Sequence, residues 1–150
     1  MDTERLGVET SLEPRLPIPG LSARLAYTFL EAEFRKGAFR DNTIPGVPEH
    51  RVTTSLSYEP IPRLFLTLDW ELVQDFFRIN DFNNRLPGDN YGVLDLGVRL
   101  AYDWGSWYVK LQNATNEEYT SFQSSNGTVI STGENPAPPI SFLIGMTVQF

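Results

Sequence analysis

A strict period of two constrains this 150-residue chain more than any other feature. At the C-terminus Ile140, Phe142, Ile144, Met146, Val148 and Phe150 are apolar, and Ser141, Leu143, Gly145, Thr147 and Gln149 lie between them. Only Leu143 breaks the pattern. Successive side chains of a strand point to opposite faces, so this segment reads as a strand with one greasy face and one polar or small face. The template recurs at Leu94–Tyr102, Leu64–Leu72, Trp107–Leu111, Val52–Tyr58 and Leu21–Phe29, and more weakly at Leu6–Leu12. The spacing predicts seven strands and no helix.

Each predicted strand is about ten residues long, against ~5–6 for an ordinary globular strand and ~9–11 for a tilted strand that crosses a bilayer. The polar face carries full charges: Arg24, Asp69, Glu71, Asp95, Arg99 and Lys110. Alternation of this kind leaves two readings. One is a soluble sandwich or lipocalin-like barrel with its charges in water. The other is a membrane barrel with its apolar face to lipid and Asp69, Glu71, Asp95, Arg99 and Lys110 facing a wet lumen. Connector lengths favour the second. Short connectors at 13–20, 59–63 and 103–106 alternate with long ones at 37–49, 74–90 and 113–139, the asymmetry of outer-membrane barrels between periplasmic turns and extracellular loops. Aromatics point the same way. Tyr27, Tyr58, Trp70, Tyr102, Trp104, Trp107 and Phe150 are placed at the membrane interfaces, where an apolar ring with a polar tip is favoured. The expected fold is all-β: an antiparallel transmembrane β-barrel segment of about seven long strands forming an open curved sheet.

Composition narrows the function classes. Twelve Lys and Arg against 19 Asp and Glu give a net charge of −7, the wrong sign for a general nucleic-acid binder. There is no cysteine, so disulfides, zinc–thiolate sites and thiol nucleophiles are excluded. No apolar run approaches the ~18 residues of a membrane-crossing helix, and the polar start Met1-Asp2-Thr3-Glu4-Arg5 is not a secretory signal.

His50 is the only histidine. A catalytic base needs a nucleophile and no Gly-x-Ser-x-Gly occurs; a zinc site needs more N or S ligands than one His supplies. His50 reads instead as a loop-to-strand residue after a Pro-rich turn. Asp75, Asp81 and Asp89 lie in an oxygen-rich loop, but Arg85 stands where an EF-hand order needs a ligand, so a solvated loop is the expectation. No catalytic residue, metal site or cofactor is expected. Phe76, Phe77, Phe82 and Arg85 give that loop the chemistry to contact an aromatic solute.

Several motifs resemble those of the barrel of TonB-dependent outer-membrane receptors. The final strand Pro139–Phe150 resembles the family's closing strand with its terminal aromatic. Asn113-Ala114-Thr115-Asn116-Glu117-Glu118-Tyr119 resembles its Asn-Leu-x-(Asp/Asn)-x-x-Tyr element, and Ile44-Pro45-Gly46-Val47-Pro48-Glu49-His50-Arg51 its Pro-Gly-x-Pro-x-His strand start. Tyr27–Phe34 resembles a tyrosine-rich strand, and Tyr91-Gly92-Val93-Leu94-Asp95-Leu96 a strand beginning Tyr-x-x-x-Asp-Leu. The chain departs from the family at Asn113–Asn116, where Asn-Leu-Phe-Asp is more usual. It departs again at Pro138-Pro139-Ile140-Ser141, where relatives often carry Pro-x-Arg.

The resemblance implies the C-terminal portion, residues 1–150, of a barrel of roughly 22 strands, without plug or signal peptide: a truncated gene product or excised piece. It further implies a bacterial outer-membrane location and uptake of a scarce solute, typically a ferric siderophore. The implied partners are outer-membrane lipid, the remaining strands and plug, and the energy-coupling TonB complex.

Overall fold

The computed structural model describes residues 2–125 and 132–149. Its strands are β1 (Thr3–Leu12), β2 (Leu21–Phe34), β3 (His50–Ile61), β4 (Leu64–Gln74), β5 (Tyr91–Tyr102), β6 (Gly105–Gln112), β7 (Thr120–Ser125), β8 (Thr132–Pro136) and β9 (Ser141–Val148). Seven of them form one sheet in the order β1-β2-β3-β4-β5-β6-β9. Every neighbouring pair is antiparallel. The sheet is open: β1 and β9 each have one neighbour.

The period-two pattern sets the register. One row runs Ala23, Leu56, Leu68, Leu96, Leu111, Phe142 across six strands. The next row, on the opposite face, runs Arg24, Ser55, Asp69, Asp95. A slip of one residue anywhere would exchange these faces, so the alternation itself specifies the pairing. The break at Leu143 is accommodated on the edge strand, where the side chain stays 47% exposed. Its strand neighbour Gly145 lies under the Tyr108 ring, which leaves no room for a Cβ beside the phenol oxygen.

Burial separates the two readings left open by sequence. Among the described residues only Ala32, Phe34 and Val73 are buried apolar side chains. Val98, Trp107, Val109, Ile144 and Met146 are each more than 40% exposed. The accessible surface is 10051 Å², against about 7,700 Å² from size scaling for a compact chain of this mass. A soluble sandwich would bury its apolar face against a second sheet. Among the described residues nothing covers that face, which favours the membrane wall over the soluble sandwich.

β2 runs from Leu21 to Phe34, through the alternating stretch and the whole of the Tyr27–Phe34 segment that resembles a strand. Its C-terminal end is paired on both sides: Thr3–Gly7 of β1 lie on one, and Asn42–Ile44 on the other, with Phe34 N–H donating to Asn42 O at 3.0 Å and Ile44 N–H to Ala32 O at 2.8 Å. One feature differs from the sequence expectation: β7 and β8 form a separate hairpin inside the longest connector. Their polar, Gly- and Pro-containing sequences have no apolar alternation to read.

Candidate functional site

The polar face of the sheet carries the densest chemistry. A cleft of about 420 Å³ opens beneath the last connector, lined by Thr53, Ser55, Asp69, Glu71, Asp95 and Tyr119 among others. Asp69 and Asp95 are direct cross-strand partners, an arrangement that like charges disfavour. Neighbours offset it. Lys110 Nζ lies 2.9 Å from Asp95 Oδ2, Asn113 N–H donates to Asp95 Oδ1 at 2.9 Å, and Ser55 Oγ donates to Asp69 Oδ1 at 2.8 Å. Glu71 pairs with Arg51 at 3.4 Å. The Arg99 guanidinium sits 4.1 Å over the Phe65 ring, a cation–π contact. Asp69, Glu71, Asp95, Arg99 and Lys110 therefore share one face, as the alternation predicts.

The cleft is roofed by a corner that sequence reasoning noticed as a motif but not as a site. Asn113 is 3% exposed and left-handed, with φ 51°, a conformation asparagine tolerates better than most residues. Its side chain makes three hydrogen bonds. Oδ1 accepts from Glu117 N–H at 2.8 Å, and Nδ2 donates to Glu117 O at 2.8 Å and Pro138 O at 3.2 Å. Asn116 Oδ1 accepts from Ile140 N–H at 3.0 Å. The two asparagines thus tie the end of β6 to the start of β9. Tyr119 stacks on Tyr91 with ring centroids 4.4 Å apart. Burial pushes the Tyr119 phenol pKa up, and the Glu71 and Asp95 carboxylates add to the effect.

At the same end of the sheet, connectors 35–49 and 75–90 pack on each other. Phe34, Phe39 and Phe82 cluster with centroids 5.2 to 6.2 Å apart. Asp81, 4% exposed, accepts from Arg85 N–H and Leu86 N–H, each at 2.6 Å. That carboxylate serves its own loop and is buried rather than solvated. Of the proposed solute contacts, Phe82 belongs to the aromatic cluster and Phe76 lies against Gly88. Phe77 is half-buried, and Arg85 is exposed.

His50 lies on the apolar face opposite Phe29. Its Nδ1 is 2.9 Å from the Tyr27 hydroxyl and its ring packs on Tyr27 and Phe29, the environment of a structural loop-to-strand residue. Among the aromatics assigned to membrane interfaces, Tyr58, Tyr102 and Trp107 lie toward the short-turn ends of their strands, and Trp104 lies in the turn between β5 and β6. Tyr27 and Trp70 lie within theirs. Phe150 is outside the described residues. Among the described residues no group of three or more His, Cys, Asp or Glu is arranged to hold a metal ion.

A single-layer sheet of long strands, apolar on one uncovered face and charged on the other, with alternating short turns and long loops, defines the wall of an outer-membrane β-barrel. The comparisons agree. The family model described as TonB dependent receptor-like, beta-barrel matches residues 2–116. The chain belongs to this family, and its place is the bacterial outer membrane. No curated protein matches in sequence. Solved structures similar to the chain include the ferric citrate transporter FecA in its unliganded form, with TM-score 0.85 and 18% identity over 99% of this chain and 24% of that one. The siderophore receptor PiuA from Acinetobacter baumannii gives TM-score 0.80 and 16% identity over 96% of this chain and 21% of that one. The copper transporter OprC gives TM-score 0.79 and 16% identity over 99% and 24%. The chain thus spans between a fifth and a quarter of the length of these structures, and at such identities the likeness is one of fold.

Proposed function

We propose that residues 1–150 are the C-terminal wall of a receptor that takes up a scarce solute, a ferric siderophore or similar chelate, by TonB-coupled active transport. The observation that carries this reading is the family match over 2–116. Solved neighbours that include a ferric citrate transporter and a siderophore receptor support the substrate class. In this reading the apolar rows meet outer-membrane lipid, and Asp69, Glu71, Asp95, Arg99 and Lys110 line the lumen, where they meet the plug or the passing solute. Tyr27, Tyr58, Trp70, Tyr102, Trp104, Trp107 and Phe150 belong to the interfacial girdles. Connectors 35–49, 75–90 and 113–139 face outward, with Phe76, Phe77, Phe82 and Arg85 as solute contacts. The segment supplies wall and rim and performs no covalent chemistry. Energy coupling and gating belong to the plug and the TonB complex.

The test is uptake by cells expressing the whole receptor in place of their own. Iron-55 should accumulate from ferric citrate or from a ferric catecholate. It should fall to the vector level when TonB is deleted. Accumulation that persists unchanged without TonB would overturn active transport. Copper accumulation with neither ferric probe taken up would replace the substrate class.

A further inference from the structure

We infer that connectors 35–49 and 75–90, which join different hairpins, form one rigid unit that opens and closes as a single body, with Asn84 as its clasp. Thr43 pairs with Glu33 as an isolated bridge at the C-terminal end of β2. Its other edge is filled by a side chain rather than a strand. Thr43 N–H donates to Asn84 Oδ1 at 2.7 Å, and Asn84 Nδ2 donates back to Thr43 O at 3.0 Å. A carboxamide offers one acceptor and one donor on the same plane, so Asn84 completes the ladder as the next backbone would. Its backbone is left-handed, φ 54°.

Three further bonds cross the same seam. Asn42 Nδ2 donates to Phe82 O at 2.8 Å, Gly46 N–H to Phe77 O at 2.8 Å, and Glu49 N–H to Asp75 O at 2.9 Å. Gly46, with φ 75°, comes so near Ile79 that a Cβ would lie 2.7 Å from Cγ1. The Phe34–Phe39–Phe82 cluster fills the space between the connectors. These contacts join positions from 42 to 49 with positions from 75 to 84, along nearly the whole seam. Among the described residues the third connector has a separate anchor at Asn113, bonded to Glu117, Pro138 and Asp95. The seam thus defines the clasped pair as one unit, and the connector after β6 carries an anchor of its own. This inference is independent of which solute the receptor takes.

The experiment is amide hydrogen exchange on the whole receptor in detergent, with heat-modifiable mobility as the check that the barrel is folded. Asn84→Ala should speed exchange about tenfold or more at Thr43, which it touches. Remote amides on both connectors, Gly46, Glu49, Arg78 and Gly88, should speed up as well. Gly46→Val, on the opposite connector, should reciprocally speed Arg85 and Leu86. Asn113→Ala should leave all of these unchanged. Faster exchange confined to the connector that carries the substitution, or at Thr43 alone, would show two independent loops and overturn the inference. So would an effect of Asn113→Ala on the clasped pair. If Asn84→Ala fails to fold, Asn84→Asp, which keeps the acceptor for Thr43 N–H and loses the donor, reads the same amides by the same criteria.

Discussion

At the residue scale, position parity decides what a substitution does. Leu96 lies in the unbroken apolar row between Leu68 and Leu111. An arginine there should cost about 2–4 kcal/mol if that row lies near the bilayer midplane. Ser55 is on the opposite face beside Asp69, where Ser55→Arg should change stability by no more than about 0.5 kcal/mol. Folded yield by heat-modifiable mobility should fall for Leu96→Arg alone; equal damage at both sites would contradict the register. Asn113 allows a finer separation. Asn113→Ala removes three side-chain hydrogen bonds from a buried corner and leaves an alanine at φ 51°. The expected loss is about 2–3 kcal/mol. Asn113→Gly loses the same bonds without the left-handed penalty and should be about 1 kcal/mol milder. Urea unfolding midpoints of the two variants would read that difference, and identical midpoints would remove backbone conformation from the account.

At the element scale, the short turns should be robust and the long connectors specific. Pro62-Arg63 joins β3 to β4, and Arg63 is left-handed at φ 73°, where a type II turn favours Gly or Asn. Arg63 Nη2 reaches Asp103 Oδ1 of the next short turn at 2.6 Å, but the two side chains are 55% and 87% exposed. Such a pair contributes only about 0.2–1 kcal/mol. Arg63→Gly loses it and relieves the turn, so the unfolding midpoint should barely move; a large drop would show the turn pair to be a structural lock. The strands were legible in sequence because period two is a local signal read directly from side-chain direction. The pairing of Asn42–Ile44 to the flank of β2 was not, because alternation does not encode it. The corner at Asn113 was visible as a motif, yet its bonds to Glu117 and Pro138 fix geometry only once β6 and β9 lie side by side. The clasp at Asn84 was hidden altogether. A loop asparagine looks like turn chemistry, and only the fold brings it to Thr43. The polar face shows the opposite case: Asp69, Asp95 and Lys110 converge because parity alone puts them on one side.

At the scale of the whole molecule, the open edges and the uncovered face set the context in which this sheet is stable. In hydrocarbon each unpaired backbone group costs several kcal/mol, and β1 and β9 each present one unpaired edge. In water the exposed apolar face invites association. Residues 1–150 refolded alone in detergent should therefore self-associate, and a monodisperse monomer with protected amides on β1 would contradict this. In cells expressing the whole receptor, a cysteine at Asn83 should react with an impermeant thiol reagent and one at Ile61 should not; the reverse pattern would invert the topology. The central claim, a membrane wall with lipid on one face and water on the other, is tested most directly by nitroxide scanning along β6 in reconstituted bilayers. Collision with oxygen should dominate at Trp107, Val109 and Leu111, and collision with a water-soluble nickel chelate at Ser106, Lys110 and Gln112, alternating residue by residue. High nickel accessibility at Val109 and Leu111, or no alternation along the strand, would contradict the account.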